Sequence, residues 1–108
     1  MGAIIKKNFV HAAGGVDAAG AIVAPAAGNA GGFTVAGPAA SVFTVTLSDA
    51  IDRTERIILV GPRGVLDSLA VAQLVGETDT AFTVSTGVAN TGAAGDRAFD
   101  MLVARVAF

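Results

Sequence analysis

The chain of 108 residues has no cysteine, no tryptophan, no tyrosine and a single histidine, His11. Without cysteine there is no disulfide framework, no thiolate nucleophile and no thiolate-bound metal. Without Trp or Tyr it lacks the aromatic faces with a polar handle that sugar sites favour. Charge is sparse too: 7 basic and 9 acidic residues leave a net −2. That balance excludes the basic face by which nucleic acid is usually met, and Lys6-Lys7, the only adjacent basic pair, is too small to make one. No stretch of about 18 apolar residues is free of Gly, Pro or charge, so no membrane helix is expected.

What is present is small and apolar. Hydrophobic residues make up 53% of the chain, and 14 more positions are glycine. Valine, at 14, outnumbers leucine, at 6, a bias towards strands. The length fits one domain. With so few charges to keep copies apart, an oligomer or a component of an assembly is expected.

The alternation is clearest in Ser41–Gly64. Val42, Thr44 and Thr46 point one way and Phe43, Val45 and Leu47 the other, the period of a half-buried strand. Ser48-Asp49-Ala50-Ile51-Asp52 then breaks the pattern with short polar side chains that favour turns and caps. The continuous β-branched run Ile57-Ile58-Leu59-Val60 reads as a strand covered on both faces, closed by the turn Gly61-Pro62-Arg63-Gly64.

Phe-Thr-Val recurs at Phe33, Phe43 and Phe82 with unequal spacing and unlike flanks, so it marks three strands rather than a repeat. Gly37-Pro38 between the first two predicts a bend or hairpin. Residues 69–75 and 80–86 give two further strands, with a short helix as the alternative for the first. The last strand, Arg97 to Ala107, sets Phe99, Met101 and Val103 against Leu102, Ala104 and Val106. Being apolar on both faces, it is expected in the middle of a sheet or against a partner. Residues 1–31 form an Ala/Gly-rich N-terminal arm or strand region, with a short strand at Ala21–Ala24, and residues 32–108 the body. His11 and Asp17 interrupt the Ala-rich run that a secretory signal would need. The fold class is all-β: an antiparallel β-sandwich of about eight short strands, jelly roll among its forms, with an extended N-terminal arm.

Chemistry is thin. His11 would need a serine (Ser41, Ser48, Ser68 or Ser85) and an orienting carboxylate beside it, and no spacing marks such a triad. Asp49, Asp52 and Glu55 sit three apart, but interleaved Arg53 and Arg56 make a solvated, ion-paired corner the better reading than a cation site. Asp79, Asp96 and Asp100 could pair as hydrolytic carboxylates only at separations the sequence does not give. No catalytic residue, metal site or cofactor is expected, and the chain reads as a non-enzyme.

Several motifs resemble those of small virion proteins of tailed bacteriophages. They are Phe43-Thr44-Val45-Thr46-Leu47, Asp49-Ala50-Ile51-Asp52, Ile58-Leu59-Val60 with Arg63-Gly64, Thr78-Asp79-Thr80 with Phe82-Thr83-Val84, and Asp96 through Phe99-Asp100 to Val103 and Arg105. The resemblance spans roughly residues 41–106. It implies a capsid decoration or cement protein, or a head-fibre piece, with a β-sandwich fold and trimeric assembly. The partners it implies are further copies of the chain and the major capsid protein of a phage head, with no nucleic acid and no membrane. Localisation would be the virion, assembled in the host cytoplasm. On this reading Ile4, Ile5, Lys6, Lys7 and Phe9 contact the capsid, by strand addition of the arm. Leu102, Ala104, Val106 and Phe108 form the oligomer interface. The alternative is a fibre tip that binds a host-surface glycan.

Overall fold

The computed structural model describes residues 10–24, 32–63, 70–88 and 95–106. Eight strands account for most of them: β1 (Val10–Val16), β2 (Ile22–Ala24), β3 (Phe33–Ala39), β4 (Val42–Leu47), β5 (Arg56–Pro62), β6 (Ala70–Glu77), β7 (Ala81–Val88) and β8 (Phe99–Arg105). They form two four-stranded antiparallel sheets, ordered β2-β1-β8-β5 and β3-β4-β7-β6. The expected all-β sandwich is what the chain adopts.

The inward faces follow the alternation. Phe43, Val45 and Leu47 of β4, Phe82 and Val84 of β7, and Phe99, Met101 and Val103 of β8 are buried together with Ala12, Val16, Phe33 and Ile51. Phe43 and Phe99 meet edge to face at 5.1 Å across the two sheets, a favourable arrangement of ring quadrupoles. Strand β8 is central in its sheet, flanked by β1 and β5. Residues 70–77 are a strand, as their alternation predicts, with Ala72 and Leu74 packed on the core.

The N-terminal region is part strand, not wholly an arm. From Val10 it pairs along β8, Val16 facing Phe99, and it returns as β2. Asp17 builds the turn between them. Its carboxylate accepts the amides of Ala19 and Ala21, both at 2.9 Å, which fixes the reversal. This accounts for the one full charge between Asn8 and Ser48.

Three local expectations fail for physical reasons. The turn expected at Gly61–Gly64 does not begin at Gly61, because Gly61 and Pro62 pair with Asp100 and Phe99 as the end of β5. The reversal after β3 comes at Ala40-Ser41, not at Gly37-Pro38. Gly37-Pro38 lies inside β3, at an irregularity between Ala36 and Ala39, and its peptide bond is cis. Strand β5 is not covered on both faces. Ile58 and Val60 pack on the core, whereas Ile57 and Leu59 point out of the sandwich and are 51% and 57% exposed. A continuous apolar run fits a strand with one covered face as well as one with two, and β5 is an edge strand.

Candidate interaction surfaces

Many polar side chains of the described residues are engaged in hydrogen bonds and ion pairs of the fold. At the corner after β4, Asp52 caps the short 3-10 turn Arg53–Glu55, accepting the Thr54 amide at 2.8 Å and its hydroxyl at 2.6 Å. Those bonds, the hydroxyl's first, hold the Asp52 carboxyl below its ordinary value. Arg53 pairs loosely with Asp79 at 3.7 Å in solvent.

Arg56 departs from the solvated corner expected of it, for its side chain is only 1% exposed. The guanidinium donates to the carbonyls of Ile51 and Asp79 (3.0 and 3.2 Å), to that of Thr78, and to the Glu77 carboxylate at 3.0 Å. It ties the start of β5 to the β6–β7 turn of the opposite sheet. The signal was in the register: Arg56, Ile58 and Val60 share the inward parity of one strand.

Of the groups a nucleophile triad would need, Ser68 lies outside the described residues, and Ser41 and His11 make separate contacts. Ser41 is buried and donates to Asp96 at 3.0 Å, which joins the β3–β4 turn to the segment entering β8. His11 lies elsewhere, its Nε2 2.8 Å from the Asp49 carbonyl. Asp100 is held by Arg63 at 2.7 Å and Asp79 faces Arg53, so each of these carboxylates has a structural partner. Among the described residues no group of three His, Cys, Asp or Glu is placed to hold a metal ion. Nor is any helix long and apolar enough to cross a membrane.

What remains is two broad sheet faces of different character. On the outer face of β3-β4-β7-β6, cross-strand neighbours are Thr34 and Thr46, Thr44 and Thr83, and Ser85 and Gln73. Strands β3, β4 and β7 carry no charged residue and β6 only Glu77 at its end, so this face is uncharged, hydroxylated across β3, β4 and β7 and bordered on β6 by exposed Val71 and Val75. On the outer face of β2-β1-β8-β5, Leu59 lies beside Leu102 and Leu102 beside Ala13, while Ile57 lies beside Ala104. An open hollow there is lined by Leu59, Gly61, Asp100 and Leu102. Gly61 forms its floor, since a Cβ at that position would meet nothing within 4 Å.

The residues expected at an interface are divided by this geometry. Leu102 is half-buried on the apolar outer face, whereas Ala104 is buried within the protomer. Val106 is half-buried, and its amide donates to the Glu55 carbonyl at 2.8 Å. Phe108 lies outside the described residues, as do Ile4, Ile5, Lys6, Lys7 and Phe9. Sequence reasoning missed Ile57 and Leu59, because periodicity does not say which strand sits at an edge. Compared with known protein families, curated proteins and solved structures, the chain matches none.

Proposed function

We propose that this chain is a non-enzymatic structural protein of a virion, a decoration or cement subunit that binds a phage head as a homo-oligomer and stabilises it. The single observation that supports this most is the pair Ile57 and Leu59, both more than half exposed on a sheet face that continues through Leu102. A chain with 16 charged residues that leaves two large aliphatic side chains adjacent on a flat face gains by covering them. The sequence resemblance supplies the kind of assembly. The capsid contact is assigned to Ile4, Ile5, Lys6, Lys7 and Phe9, ahead of β1.

The test is co-sedimentation of the purified protein with empty phage heads of the type it decorates. Deletion of residues 1–9 is the informative truncation, because removing 1–13 would also strip Val10–Ala13 from β1, including buried Ala12. Loss of head binding with the oligomer intact is the expected outcome. Undiminished head binding by the truncated protein would sink the assignment of the arm, and failure of the full chain to bind any head would sink the function.

A further inference from the structure

We draw no further inference here: the strongest candidate, the apolar outer face of β2-β1-β8-β5 with its open hollow beside Leu59, Gly61 and Leu102, carries none because nothing in the structure shows what covers it.

Discussion

Arg56 shows how one residue can set the terms for a corner of the fold. Its guanidinium is out of water and serves the carbonyls of Ile51, Thr78 and Asp79, which have left the ladders to make a turn. Glu77 is about one third exposed, so the ion pair is screened and the three carbonyls matter more than the charge. Arg56→Leu keeps much of the bulk and removes the donor that serves the Ile51 and Thr78 carbonyls, whereas the Asp79 carbonyl keeps the Ile51 amide at 3.0 Å. A buried acceptor left without its donor costs roughly 1–3 kcal/mol, with water relieving part at an edge, so a loss of about 3 kcal/mol is expected. Arg56→Lys retains the charge but not the planar fork, and should recover only part of it. Urea unfolding of both variants measures this, and a loss below about 1 kcal/mol for Arg56→Leu would show the clamp to be incidental. The charge pattern of Asp49–Arg56 could not reveal such a role, because an Arg that is solvated and one that is buried read alike until its strand parity is considered.

At the scale of elements, strands that lie in mid-sheet or bury a single face were the legible ones. Phe43-Val45-Leu47, Phe82-Val84 and Phe99-Met101-Val103 are inward because their opposite neighbours are polar or because the strand is central. Turns were less legible. Ala40 and Ser41 both have positive φ, 53° and 64°, in the two-residue loop between β3 and β4, where Asn-Gly would be the usual choice. Neither residue announces that conformation. Ser41 is held there by its bond to Asp96 and by its carbonyl, which accepts the Thr86 amide at 3.0 Å. Ala40 is exposed and has no such anchor among its described hydrogen bonds. Ala40→Gly therefore removes about 1 kcal/mol of left-handed strain against a smaller rise in unfolded-chain entropy, and should stabilise by about 0.5 kcal/mol. Ser41→Gly relieves the same strain but gives up the Asp96 bond, so it should not stabilise. If thermal unfolding showed the two substitutions raising stability equally, the anchoring of Ser41 would be refuted.

Across the whole molecule, the two sheets are joined at their margins as well as through the core. Arg56 binds β5 to the β6–β7 turn, and Ser41 binds the β3–β4 turn to the approach to β8. A third tie needs no side chain at all. Gly20, in the turn between β1 and β2, has φ +94° and lies so close to the Gly37 carbonyl oxygen of β3 that a Cβ would overlap it. Gly37 is itself at φ +104°, with the Val42 carbonyl 2.8 Å from where its own Cβ would be. The backbones of the two sheets thus touch at a point where only glycine fits. Gly20→Ala must either force the β1–β2 hairpin away from β3 or displace the irregular end of β3, and overpacking of this kind costs about 1–3 kcal/mol. The consequence depends on how the sheets are coupled. If the contact holds sheet to sheet, hydrogen exchange in Gly20→Ala will quicken together in β1–β2 and in β3–β4, by about tenfold or more, since 1.4 kcal/mol is a factor of ten in the opening equilibrium. Faster exchange confined to residues 17–24 would instead mean that the hairpin frays alone. The sandwich would then owe its cohesion to the Phe43–Phe99 core and to side-chain ties such as those of Arg56, Ser41 and His11.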